Sequence, residues 1–201
     1  MLRNRLRTAA LVVGLVLSGS GVRAESPPLD AAGRAMLDSF REEVLQPEAL
    51  IRRVGIARTA AIADVGAGPG FWTLRLARSA SRGQVTALDI RADYLEVTGA
   101  RARAAGLTNV RTRVIRPDDA GLSPRSVDLV WISQVDHYLP DRAPYFAALA
   151  RALKPGGRMV LINYEQYRDL DLSAAASAGL RVIDEWRPSV AFFMLVLSSQ
   201  R

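Results

Sequence analysis

Apolar positions in this chain follow two alternating rhythms. Short β-rich runs at 60–65, 84–90, 110–115, 127–132 and 158–163 predict five strands. Between and after them, stretches with helical spacing predict helices over 71–79, 91–105, 141–153 and 171–178. Strands that alternate with helices in this way predict a parallel sheet covered on both faces. Two last β-rich runs, 180–186 and 191–198, are split by Pro188 and predict an antiparallel hairpin. Ahead of the first strand, Ala32, Met36, Phe40 and Val44 recur every four residues, which predicts one amphipathic helix with Asp30 as its cap. Pro47 opens a second helix that Gly55 closes. These two helices are expected to pack on the sheet, or else to cover a pocket.

The first strand runs into Asp64-Val-Gly-Ala-Gly-Pro-Gly70. Glycines at 66, 68 and 70 allow positive φ and let a ligand approach the backbone closely. The following helix start offers N–H groups and a positive dipole end, suited to a small polar ligand. The spacing departs from the dinucleotide fingerprint G-x-G-x-x-G, because the third glycine arrives one residue early and position 71 is Phe. A tight strand–helix turn without any ligand is the other reading of such a loop.

The 201 residues are 49% hydrophobic, enough for one domain with a core. The net charge of +7 is concentrated at one end. Arg3, Arg5, Arg7 and Arg23 are the only charges in residues 1–24, and 23 basic against 20 acidic residues remain beyond them. No basic block marks a nucleic-acid footprint. Arginines followed by the apolar run 9–17, small residues and Val22-Arg-Ala24 predict a signal peptide cut before Glu25, with export to the periplasm. An uncleaved N-terminal anchor in the inner membrane, or a cytoplasmic protein with a mis-assigned start, are the other readings. The expected organisation is therefore a leader 1–24, an N-terminal helical segment 25–58 and a main domain 59–201. The chain has no cysteine and one histidine, so disulfides, thiolate zinc sites and cysteine nucleophiles are excluded, and no metal is expected.

Several of these pieces together resemble the class I S-adenosylmethionine-dependent methyltransferases. They are the loop 64–70, Asp89 at the end of the second strand, Ser126-Val-Asp-Leu-Val130 at the fourth, Leu153-Lys-Pro-Gly-Gly157 before the fifth, and the terminal hairpin. The stretch from Asp118 to His137 looks closest to a branch with exported members. The resemblance implies a Rossmann-like α/β fold with a mostly parallel seven-stranded sheet in the order 3-2-1-4-5-7-6. It also implies S-adenosylmethionine as cofactor and methyl transfer to an acceptor, a small molecule or a protein side chain, that the sequence does not name.

The same resemblance suggests roles. Gly66, Ala67, Gly68 and Gly70 would cradle the cofactor, with Asp64 orienting the loop and reaching its amino end. Asp89 would bind both ribose hydroxyls, or else cap the helix at 91. Ile90 would pack on the adenine, or else in the core. Many family members carry Gly-Asp after the third strand; here Ile115-Arg-Pro stands there, so Asp118 is the candidate for the adenine amino group, or else a turn-forming loop acid. His137 is the candidate general base, or else a helix-start or surface residue. A non-catalytic binder on the same fold and a nicotinamide-dependent oxidoreductase are the rival functions.

Overall fold

The computed structural model describes residues 27–139 and 141–199; the expected leader lies outside them. Seven strands form one sheet in the order β3-β2-β1-β4-β5-β7-β6. They are β1 Ala61–Val65, β2 Gln84–Asp89, β3 Val110–Val114, β4 Val127–Ser133, β5 Leu153–Tyr164, β6 Leu180–Ser189 and β7 Phe192–Ser199. Only β7 runs antiparallel to its neighbours. The sheet order and the hairpin are those that the resemblance implied.

The helices are α1 Ala31–Ala35, α2 Ser39–Leu45, α3 Pro47–Val54, α4 Thr73–Ser79, α5 Ala92–Ala104, α6 Arg142–Ala152 and α7 Arg168–Ser177. One expectation fails here. The amphipathic helix drawn through Ala32, Met36, Phe40 and Val44 is two helices, because the Asp38 carboxylate accepts from Phe40 N at 2.8 Å and starts α2 afresh. Phe40 consequently leaves the apolar face and is exposed. Smaller departures have local causes. Helix α4 begins two residues after 71, with Phe71 and Trp72 held in the turn, and α7 begins three residues before 171. Pro188 does not end β6; the strand passes it with a slip of register between Trp186 and Ser189, which an edge strand tolerates.

Two cores sandwich the sheet. On one face Phe146 and Leu149 of α6 and Ala175 of α7 pack on Val130, Ile132 and Leu161. On the other, Leu50 of α3 and Leu76 of α4 pack around Ile62 and Trp131. Each large side chain so buried contributes about 1.5–3 kcal/mol. Asp128 joins two sequence motifs at the amino edge: it accepts from Ala61 N at 2.7 Å and from Lys154 Nζ at 2.9 Å. Val127 pairs with Leu153 and Leu129 with Arg158, so Lys154–Gly157 loops out of the ladder, with Gly156 at φ 78°. The expected turn is thus a bulge inside β5.

Candidate active site

The parallel strands all end on one edge, where such sheets bind ligands. A cavity of about 350 Å³ opens there. A hollow of about 420 Å³ at the opposite, amino edge lies between Ile56, Asp128 and Lys154, where the Lys154–Asp128 ion pair already answers both charges.

Gly66, Gly68 and Gly70 have φ of 69°, 54° and 89°, conformations that side chains rarely adopt. Space is tight as well: a Cβ on Gly66 would come within 2.1 Å of Val135 Cγ2, and one on Gly68 within 3.0 Å of Met36 Sδ. The loop's own amides are engaged inside the protein. Gly66 N and Ala67 N both donate to Leu88 O (2.7 and 3.0 Å), Gly70 N to Ala67 O (3.1 Å) and Gly68 N to Asp89 Oδ2 (2.7 Å). The loop is bonded within the protein and offers its surface, not a row of donors.

Gly66, Gly68, Asp89 and Ile90 line the cavity. Asp89 is buried at the end of β2, and its Oδ1 accepts from Arg91 N at 2.9 Å. Its carboxylate thus ties the glycine loop to the start of α5 and retains lone pairs toward the cavity. Ile90 is not core: it is more than half exposed and forms cavity wall. Met36, Tyr94, Ile115, Val135, Tyr138 and Tyr145 complete much of the lining. Tyr94 stands beside Arg91, which pairs with Asp30 and Asp93 and lies over the Tyr94 ring. Burial pushes the Tyr145 hydroxyl up to about 12, so it stays a neutral donor.

Four selected residues lie off the lining. Asp64 is buried and accepts from the Thr73 hydroxyl at 2.6 Å, which fixes α4 against β1; burial pushes its carboxyl up to about 7. Ala67 is buried and packs with Ala87 and Leu95, while Gly70 sits against Thr98. Asp118 is exposed and pairs with Arg116 at 3.1 Å. The fifth candidate, His137, occupies a 3₁₀ turn, Asp136–Tyr138, and also lies off the lining. Its ring stacks on Tyr167 (5.2 Å between centroids, 4° between planes), with Tyr138 at 4.2 Å and Tyr164 at 5.9 Å. Its Nδ1 is buried without a hydrogen-bond partner.

Beneath His137 lies a cluster that sequence reasoning missed. Asp136, Asp171 and Asn163 are fully buried. Asn163 Nδ2 donates to Asp136 Oδ2 at 2.7 Å and Asp171 Oδ2 at 3.0 Å, and Arg142 Nε lies 3.2 and 3.1 Å from the two acids. Burial and the neighbouring Asp136 push Asp171 up to about 8, so at neutral pH it carries a proton toward Asp136. The cluster locks the turn bearing His137 to α7 and the end of β5. These residues come from four elements, and no spacing pattern unites them. Tyr94 and Tyr145 did leave a signal: each stands in the first turn of a helix that begins at the carboxyl edge.

Known proteins resemble this chain in sequence and in fold. Residues 62–157 match the family model described as a methyltransferase domain. Ubiquinone biosynthesis O-methyltransferase of Serratia proteamaculans (strain 568) is 29% identical over 110 residues, covering 55% of this chain and 45% of that protein. Demethylmenaquinone methyltransferase of Lactococcus lactis subsp. lactis (strain IL1403) is 30% identical over 130 residues, covering 62% of this chain and 50% of that protein. The chain spans about half the length of these relatives. Among solved structures, a SAM-dependent methyltransferase from Aquifex aeolicus shares the fold with a TM-score of 0.77 at 20% identity, over 85% of this chain and 98% of that one. Residues 62–157 thus form a methyltransferase domain by the family match, and the strand order and glycine loop around them are those of the class I S-adenosylmethionine-dependent methyltransferases.

Proposed function

We propose that the protein methylates a small hydroxylated planar acceptor, of the quinol type, using S-adenosylmethionine. The observation that carries this reading is the cavity at the carboxyl edge, with the glycine loop and Asp89 on one side and an aromatic group on the other. The residues fit the cofactor. A carboxylate suits two vicinal hydroxyls, Ile90 and Ile115 give apolar wall for a base, and the loop surface is open only because no Cβ fills it. When bound, S-adenosylmethionine supplies an electrophilic methyl group on a sulfonium.

The chain's own part is positioning. Val135, Tyr138 and Leu139 wall the cavity on the β4 side and limit water there. The Asp136–Asn163–Asp171–Arg142 cluster holds His137 and Tyr167 in their stack. An acceptor hydroxyl entering between Tyr138 and Tyr164 would come near the half-buried His137, whose imidazole is the candidate base. The names of the two quinone-pathway relatives support a planar acceptor of this kind. The arginine-led leader supports export, with residues 25 onward folded outside the cytoplasm.

Titration calorimetry with S-adenosylmethionine, S-adenosylhomocysteine and NAD, followed by transfer of a labelled methyl group to catechol and hydroquinone acceptors, tests the reading. Binding of the two sulfur compounds together with label in the acceptor is expected. Binding without transfer to any such acceptor favours the non-catalytic rival, and binding of NAD alone favours the oxidoreductase.

A further inference from the structure

Six polar side chains line the cavity at the carboxyl edge: Asp89, Arg91, Tyr94, Arg116, Tyr138 and Tyr145. Four of them are already engaged. Asp89 accepts from Gly68 N and Arg91 N, and the Arg91 guanidinium pairs with Asp30 and Asp93. The Tyr94 hydroxyl donates to Asp30 at 2.8 Å, and Arg116 pairs with Asp118. Tyr138 is 80% exposed and meets solvent. Tyr145 differs from the other five. It is only 6% exposed, yet its hydroxyl has no hydrogen-bond partner among the described residues. That hydroxyl is reachable from the cavity and is not sealed in the core. A polar group so deeply placed is costly to leave unmatched, so its partner belongs to whatever fills the cavity.

Tyr145 stands at the end of the cavity where β3 finishes. Ile115 N donates to Asp89 O at 2.9 Å, so the wall runs from Asp89 to Ile115 without a break. Ile115, Ala120 and Leu139 share one apolar cluster with Tyr145. The acids of the loop after β3 are turned to other partners: Asp118 holds Arg116, and Asp119 Oδ1 accepts from Gly121 N at 2.7 Å. Neither acid lines the cavity. Burial, with Asp119 and Asp118 close by, keeps the proton on the Tyr145 hydroxyl. Arg142, one turn earlier in α6, is clamped by Asp136 and Asp171, and the adjoining Phe146 is fully buried, so the place of the Tyr145 ring is fixed.

We infer that the Tyr145 hydroxyl reads the edge of the cofactor's purine, in place of a loop acid, and that the base position therefore accepts a 6-oxo purine nearly as well as a 6-amino one. The inference rests on the cavity being the S-adenosylmethionine site, with Asp89 on the ribose and Ile90 and Ile115 against the base. An ionised carboxylate only accepts hydrogen bonds, so it selects an amino group and repels an oxo group. A phenolic hydroxyl donates or accepts and serves either. Titration calorimetry on the full-length chain tests this with two probes, S-adenosylhomocysteine and S-inosylhomocysteine, which carry the amino and the oxo group. The parent is expected to bind both, within roughly tenfold of each other. Tyr145→Phe keeps the ring and should melt near the parent, but should bind both probes roughly tenfold more weakly. A Tyr145→Phe protein with the parent's affinity for both would overturn the inference and leave the hydroxyl to water. So would a parent that rejects S-inosylhomocysteine by roughly a hundredfold or more, a ratio that needs no variant to measure. Both of those outcomes leave the cofactor reading standing, whereas a folded parent that binds neither probe overturns that reading and this inference together.

Discussion

Each half of the carboxyl edge holds a pair of buried carboxyls, and the two pairs are built by opposite means. In the β1–β2 half, Asp64 and Asp89 are kept apart. A hydroxyl answers the first, and the amides of Gly68 and Arg91 answer the second. In the β4–β5 half, Asp136 and Asp171 lie together, with Asn163 and Arg142 bridging them. Burying a carboxylate is costly unless it is neutralised or hydrogen-bonded. The first pair meets that cost with nearby donors of its own loop, the second with a cation and a retained proton from other elements. The first pair therefore shapes a binding surface, while the second braces a wall.

Removing the cation gives the sharpest break between the halves. Arg142→Ala should leave the Asp136–Asp171 pair with Asn163 alone and destabilise the protein by about 3–5 kcal/mol, read by denaturant unfolding. Asp171→Asn in the same chain should recover much of that loss, since it leaves a single titratable carboxyl, Asp136, among amide donors. Recovery failing entirely would mean that Arg142 acts through packing.

On the other side, Asp89→Ala should weaken S-adenosylmethionine binding by on the order of 3 kcal/mol, at least a hundredfold, in calorimetry. Because Asp89 also fastens Gly68 and Arg91, a stability loss of about 1 kcal/mol should accompany it. Asp89→Asn should weaken binding less. Affinity unchanged in a folded Asp89→Ala protein would leave the residue as a cap for α5 and nothing more.

Each pair holds one carboxyl that answers pH, and in the same direction. The folded state raises Asp171 to about 8, so between its ordinary range and that value the folded protein holds a proton that the unfolded chain has lost. This contribution is fully present below the unfolded value and is lost as pH rises through about 8. Asp64, raised to about 7, adds a contribution of the same sign. Stability should therefore decline on the order of a few kcal/mol from mildly acidic to mildly alkaline pH. Asp171→Asn should flatten the upper part of that decline in thermal melts, whereas a slope unchanged in the variant would assign it elsewhere. The smallest effect belongs to Asp118→Ala. Its exposed pairing with Arg116 predicts cofactor affinity within roughly twofold of the parent, and a larger loss would bring Asp118 into the site.

The contrast between the halves is also why one was readable in the sequence and the other was not. Asp64, the glycines and Asp89 fall within one strand–loop–helix–strand unit, so their spacing carries their geometry. The parallel sheet followed from the same alternation, and its strand order from the family resemblance. Asp171 read only as the opening of a helix, yet α7 begins at Arg168 and puts Asp171 on its buried side. Its partners come from β5, the turn after β4 and α6, contacts that only tertiary packing makes. The break between α1 and α2 was missed for a different reason. The apolar period continues through Met36 and Phe40, but Asp38 supplies a cap that outweighs it. The bonding of the loop amides left no signal either, because their acceptor, Leu88 O, belongs to a neighbouring strand.

That carbonyl has a consequence of its own. With Gly66 and Ala67 both anchored to Leu88, and Gly68 to Asp89, the loop is ordered by folding and not by the ligand. The conformational entropy of a glycine-rich segment, the largest of any composition, is thus spent before association begins. The amide hydrogens of Gly66, Ala67 and Gly68 should exchange with solvent as slowly as those of the strands beside them, with no cofactor added. Association should then proceed as a single step, without a slow closing phase of the loop.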